Sequence, residues 1–248
     1  MIDFDFTTDT SNYWDNYWDD DPILGGFSND PDSCSATMKK YQKILWSKTL
    51  PNGQIFNLQY GKNSDYLIWK EFRFGSDSII TSFRYKNYRY MIKEVSENVN
   101  DWHSFIENYV KKAYSVGGEI IFPKYMGGIN QSRGCNPLIK DRFDLTLECI
   151  RRYYKNEYSP LYNCLLKNKG FFDLFVDFKG YVDFFFLQDL VSNDYEKVIY
   201  WNDINAFNET PLPKNIKDYL IYIENELSFV EKRNQRIKQY LQENNVLY

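Results

Sequence analysis

The 248-residue chain carries 30 Lys and Arg against 34 Asp and Glu, a formal charge of -4 and a pI near 5.2, with a single histidine. At 43% hydrophobic and 26% charged it reads as an ordinary globular protein, and its most apolar stretch, 171–191, holds Asp173, Asp177, Lys179, Asp183 and Asp189, too many charges for a membrane span. Four scattered cysteines without a C-x-x-C pair, and His103 alone, argue against a zinc site and against a His-based triad, and for reduced thiols in the cytoplasm.

The opening MIDFDF shows neither a basic nor an apolar leader region, so no signal peptide is expected. Residues 1–33 hold nine aspartates and no Lys or Arg, leaving the remainder with 30 basic against 34 − 9 = 25 acidic groups, a net +5. Tyr13, Trp14, Tyr17 and Trp18 are out of place in a disordered arm, so part of this arm is expected to dock on a basic surface. Breakers follow at Pro22, Gly25, Gly26 and Pro31. Ser35 or Thr37 can cap a helix through Trp46 that ends in the turn Leu50-Pro51-Asn52-Gly53. QIFNLQY (54–60) and DYLIWKEFRF (65–74) read as strands, 88–95 and 100–114 as helices, and EIIFP (119–123) as a buried strand. Residues 124–135 read as a glycine-bearing loop. Asn136 as cap and Pro137 at the first helical position then predict a helix to Tyr154. A shorter helix is expected at 158–168, and two more in 171–191 broken near Gly180, although YVDFFF also fits a strand. Residues 197–201 read as a strand, and Pro211 and Pro213 mark a connector. Last, Ile216, Leu220, Ile223, Leu227, Val230, Asn234, Ile237 and Leu241 recur at spacings of four and three, a heptad seam with an asparagine inside it.

These elements predict an α+β fold, with a small, mostly antiparallel sheet in the N-terminal half and a helix-rich C-terminal half ending in a long helix. The expected parts are an acidic aromatic arm (1–33), one globular domain (34–214) and a long helix (215–248). That helix either packs on its own domain or builds a homo-oligomer.

The chemistry-bearing residues cluster around the strand–loop–helix passage 119–154. Free amides at a helix start favour an anion, and Asn130, Gln131, Arg133, Lys140 and Arg142 could line such a site, with Arg133 as a bidentate clamp. Neither G-x-x-x-x-G-K-[ST] nor G-x-G-x-x-G is present. On the predicted helix, Phe143, Leu147, Ile150 and Tyr154 form the core face, while Asp144 and Glu148 are like charges at i,i+4. Asp144, Glu148 and Asp183 are the acids available for catalysis. Asp183 lies in an apolar run and should need a cationic partner, with Arg142 or Arg133 the expected one. No metal-ligand set is evident; two or three of these carboxylates sharing Mg²⁺ would suit phosphoryl chemistry, but nothing in the spacing demands it, and the sequence assigns no cofactor. The run Arg84 to Lys93 interleaves bases with aromatics, but the low pI argues against nucleic acid as partner.

At LWSKTLPNG, INQSRGCN, DRFDLTLECIRRYY and GYVDFFFLQDLV the chain resembles a family of uncharacterised bacterial proteins of about this length, a domain of unknown function, over residues 30 to 236. The resemblance implies a cytoplasmic bacterial protein and brings no catalytic residue with it. The residues themselves lead to two expectations. One is a cytosolic protein that binds an anionic small molecule or a protein partner, with a stress or defence system as one expected context. The other is a phosphate-ester or nucleotide-acting enzyme using Arg133 with Asp144, Glu148 or Asp183.

Overall fold

Ser35 opens the first helix as the sequence requires: its hydroxyl accepts the Met38 N–H at 3.0 Å, and α1 (Ala36–Trp46) buries Met38, Tyr41, Leu45 and Trp46. The structure, a computed structural model, describes Phe4 and residues 35–62, 66–80, 88–125 and 127–245, without the side chains of Arg89 and His103. Most of the acidic arm and the basic run 84–87 therefore lie outside the described residues. Phe4 packs against the core, and its carbonyl accepts the Val116 N–H at 3.1 Å.

Four strands follow in the order β1 (Gln59–Tyr60), β2 (Leu67–Trp69), β3 (Phe72–Ser78) and β4 (Glu119–Pro123), each antiparallel to its neighbour. The run 65–74 divides because Lys70 adopts a left-handed φ of 52°, which turns the chain into a hairpin. Only two residues of 54–60 join the sheet. Ile55 instead makes an isolated bridge to Thr49, and 197–201 likewise contributes one bridge, Val191 to Val198. β4 is buried along its whole length, as the apolar EIIFP suggests.

Between β3 and β4 run α2 (Arg89–Asn98) and α3 (Trp102–Ala113), the latter capped by Asp101. After β4 the chain is helical: α4 (Ile129–Cys135), α5 (Phe143–Tyr154), α6 (Tyr162–Lys167), α7 (Lys169–Phe172), α8 (Phe178–Phe184) and α9 (Ile216–Glu243). The fold is α+β, with the sheet in the N-terminal half and a long C-terminal helix.

Three expectations need correction here. Residues 129–135, read as loop, are helical. The helix expected from Asn136 begins only at Phe143, because the Asn136 Oδ1 accepts the Leu138 N–H at 2.9 Å and Lys140 and Asp141 take left-handed φ values of 51° and 65°. Gly180 lies inside α8 rather than at a break. A Cβ there would stand 2.1 Å from the Phe175 carbonyl oxygen, so only glycine permits this approach. The break falls at Val176, where φ is 70° and the Phe175 carbonyl accepts the Asp177 N–H across one residue.

α9 lies on its own domain. Ile223, Val230, Ile237 and Leu241 of the heptad seam are buried there, joined by Tyr219, Tyr222 and Phe229. Asn234, the residue suited to fixing register between chains, instead accepts the Gly117 N–H at 2.6 Å and donates to Ser115 Oγ at 2.8 Å. One residue earlier, buried Arg233 donates to the carbonyls of Phe185 at 3.0 Å and of Gly117 and Glu119, both at 2.8 Å. Burial lowers its pKa, but three carbonyl acceptors hold the guanidinium charged.

Lys48 is the second cation in this region. Its Nζ donates to the Phe184 carbonyl at 2.7 Å and stands 3.9 Å from the Phe186 ring centroid and 4.7 Å from that of Tyr240. The rings favour the ammonium. Burial and then the Arg233 charge oppose it and pull Lys48 down to about 7. An unfolded chain keeps this proton up to about pH 10.5, so stability rises with pH between 7 and 10.5, and below 7 the burial penalty is fully present. Lys48→Met is therefore expected to raise stability at pH 6 by about 1–3 kcal/mol, with the gain shrinking toward pH 10. Urea melts at the two pH values measure this. A loss at pH 6 would show that the rings outweigh burial.

Candidate functional site

Arg133 sits in the last turn of α4 and is fully buried. Its Nη1 meets Asp77 Oδ2 at 2.7 Å and Asp141 Oδ1 at 2.9 Å, its Nε donates to Thr146 Oγ1 at 3.1 Å, and its Nη2 donates to the Asp141 carbonyl at 2.5 Å. Burial lowers its pKa, but Asp141 and then Asp77 more than reverse this, so the net shift is upward. One guanidinium thus ties β3, the 137–141 turn and α5 together and holds the left-handed Asp141. Lys140 precedes it in that turn, half-buried.

Arg142 is equally buried. It forms a two-pronged pair with Asp144, one prong at 3.0 Å, and donates to the Pro211 carbonyl at 2.5 Å. Asp144 also accepts the N–H groups of Leu145 at 2.9 Å and Trp201 at 3.1 Å. The like-charge conflict read between Asp144 and Glu148 is resolved in this way. Asp144 turns to Arg142, while Glu148 receives Arg151 at 2.8 Å and Arg152 at 2.7 Å. Asp183 is paired neither with Arg142 nor with Arg133. Lys179, one turn earlier, takes it, with Tyr195 Oη at 2.8 Å and Gln188 Nε2 at 3.1 Å. The expected cationic partner exists, but it is local, because Asp183 lies on the rim of α8 rather than in the core.

The amides expected to meet an anion are also occupied. Gly127 N–H donates to Gln131 Oε1 at 2.8 Å and Gly128 N–H to the Tyr125 carbonyl at 2.9 Å. Asp144, Glu148 and Asp183 belong to three separate ion-paired groups and do not converge on a shared opening.

Two of the expected ligand residues, Asn130 and Gln131, do face a concavity. It encloses about 290 Å³ where β4 ends, between α1 and the start of α4, and its cations are Lys39 and Lys124. Asn130 Nδ2 donates to the Ser76 carbonyl at 3.1 Å and Gln42 Nε2 to Ser76 Oγ at 2.8 Å, so both amide side chains are anchored in the hollow's wall. A second hollow of about 520 Å³ lies on the other side of Lys124 and Tyr125, with Arg73, Lys167 and Asn168 in its wall and Glu71 as the one carboxylate among the lining residues of either hollow. Among the described residues, none of Lys39, Arg73, Lys124 and Lys167 has a carboxylate within 4.0 Å. Arg73 rests over the Tyr66 ring at 5.2 Å.

These four cations carry no motif. They come from α1, β3, the end of β4 and the end of α6, and only the strand ending at Pro123 brings them to one place. Among the described residues no group of three or more His, Cys, Asp or Glu is placed to hold a metal ion, and no helix is long and apolar enough to cross a membrane.

No curated protein and no solved structure matches the chain. One family model covers residues 1–237, nearly the whole of the chain described above, and on that match the chain belongs to a family of unknown function (DUF6994).

Proposed function

We propose that this protein binds an anionic small molecule at the end of β4, in the hollows that Lys124 and Tyr125 divide. The observation that carries the reading is the contrast between two sets of cations. Arg133 and Arg142, inside, are matched by carboxylates and carbonyls. Lys39, Arg73, Lys124 and Lys167 surround open space lined by amide side chains, with Glu71 alone opposing them. On a chain of net charge -4, such a local positive field draws anions and focuses them in a concave wall. We attach a cytoplasmic location to this reading, since Cys135, Cys149 and Cys164 are free thiols.

A thermal-shift panel of phosphate, AMP and ATP tests it. A ligand at about a hundred times its Kd adds about 2.7 kcal/mol to the native state, which raises Tm by roughly 5–10 °C in a chain of this size. Lys124→Ala is expected to remove most of the shift while leaving the unliganded Tm within a degree or two. A panel without any shift, or a shift that Lys124→Ala leaves intact, contradicts the proposal.

A further inference from the structure

The two hollows share a wall, and that sharing constrains the ligand. Lys124 and Tyr125 line both, as does Pro123 behind them. On one side of this divider stands Lys39, and on the other Arg73 and Lys167. A single compact anion would use one side and leave the cations of the other exposed without purpose. The cavity sizes, about 290 and 520 Å³, each suit one nucleotide-sized unit.

The neutral lining adds a second constraint. Both N–H groups of Asn168 Nδ2 are taken, by the Cys164 carbonyl at 2.8 Å and by Tyr125 Oη, while Gln42 and Asn130 each commit one of two amide N–H groups to Ser76. Each of these side chains keeps an amide oxygen able to accept from a hydroxyl, and Gln42 and Asn130 also keep one N–H. Gln131 is the reverse, since its oxygen accepts the Gly127 N–H and its NH2 remains. Cations flanked by acceptors fit a ligand that carries negative groups and hydroxyl donors together. Sulfate offers no donor to those oxygens, and inorganic phosphate offers only its own P–OH, too short to reach both hollows. Tyr66 and Tyr125 supply aromatic surface beside each cationic group.

From this juxtaposition we infer that the ligand is one molecule with two phosphate groups joined by a hydroxyl-bearing spacer, straddling Lys124 and Tyr125 with one phosphate in each hollow. The inference rests on the anion-binding reading above and goes further in fixing the number of charges and the hollow that takes each.

Isothermal titration of the full chain with AMP and with a 5′-phosphorylated diadenylate tests it, in parallel with Lys39→Ala and Lys167→Ala. Both substitutions remove a flexible side chain at the hollow edge, and unchanged urea midpoints confirm the fold. The expected result is diadenylate binding at least tenfold tighter than AMP, with each substitution alone bringing that advantage down at least fivefold. Equal affinities for AMP and diadenylate, with sensitivity to Lys39→Ala only or to Lys167→Ala only, overturn the straddling ligand and leave anion binding in place. No binding of either compound overturns both, as does binding that neither substitution weakens.

Discussion

A chain ending at Pro213 is expected to lose the native fold. That cut removes α9, and with it the buried side chains of Tyr219, Tyr222, Ile223, Phe229, Val230, Ile237 and Leu241. Burying each contributes about 1.5–3 kcal/mol, so the loss is on the order of 10–20 kcal/mol. The whole stability of a typical native domain is about 5–15 kcal/mol. The polar cost runs the same way, because Arg233 leaves with the helix and the carbonyls of Phe185, Gly117 and Glu119 lose their donor. The measurement is near-ultraviolet circular dichroism with a urea melt of the shortened chain. The expected trace has no fixed aromatic signal and no cooperative transition. A native spectrum with a sharp melt would mean that α9 is an appendage whose seam serves another chain.

Arg133→Met is expected to destabilise the protein by about 3–5 kcal/mol, the cost of removing one partner from a buried ion pair. Methionine fills similar volume, so the effect isolates the charge rather than a cavity. It leaves Asp77 and Asp141 without their shared guanidinium and strips the donor from the Asp141 carbonyl. The second consequence matters as much as the first. Lys140 and Asp141 are two successive left-handed residues, and Arg133 binds Asp141 through both its carbonyl and its carboxylate. Without it the turn that starts α5 keeps its backbone hydrogen bonds but loses the side-chain tie to β3 and to Thr146. The urea midpoint of Arg133→Met against Arg133→Met/Asp77→Asn measures the charge part. Removing the Asp77 charge should return about 1–3 kcal/mol of the loss, the cost of a buried group that has lost one hydrogen-bond partner. A single substitution that costs less than about 1 kcal/mol would show that Arg133 is not the tie described here.

How much of this was legible follows from the range over which each interaction acts. Local chemistry read well. Ser35 capping α1 and the apolar strand 119–123 depend on neighbours within a few positions, whereas the one-sided core face read for α5 does not hold, because Asp144 and Glu148 are buried with Phe143, Leu147 and Ile150 while Tyr154 is only partly covered. The α9 seam was visible too, but its partner was not. The hydrogen bond from Gly117 to Asn234 spans 117 positions, and nothing in a heptad says whether its apolar edge meets another chain or its own. Arg133 misled for the same reason. Beside glycines and ahead of a proline it looked like a clamp on a loop, while its partner Asp77 lies 56 positions earlier in a strand. The amides thought to be free were taken by Gln131 and the Tyr125 carbonyl, a turn too irregular to foresee from composition. Of the hollow lining, Asn130 and Gln131 were named in advance, whereas Lys39, Arg73, Lys124 and Lys167 were not. The only sequence-level trace of them was the net +5 outside the acidic arm, which gives a sign without a place.

That arm bears on the site as well. Its nine aspartates, with no Lys or Arg among them, turn a remainder of net +5 into a chain of net -4. An anionic ligand at Lys124 would have to compete with any aspartate that reached the same cations, so added salt is expected to weaken ligand binding less steeply than for an open lysine patch.

The most direct test of the central claim is a crystal soaked in tungstate, a heavy tetrahedral anion located by its anomalous signal. The account predicts tungsten within hydrogen-bond reach of Lys124 Nζ, shared with Lys39 on one side or with Arg73 and Lys167 on the other. Tungsten found only elsewhere on the surface, with both hollows empty at saturating concentration, would contradict it.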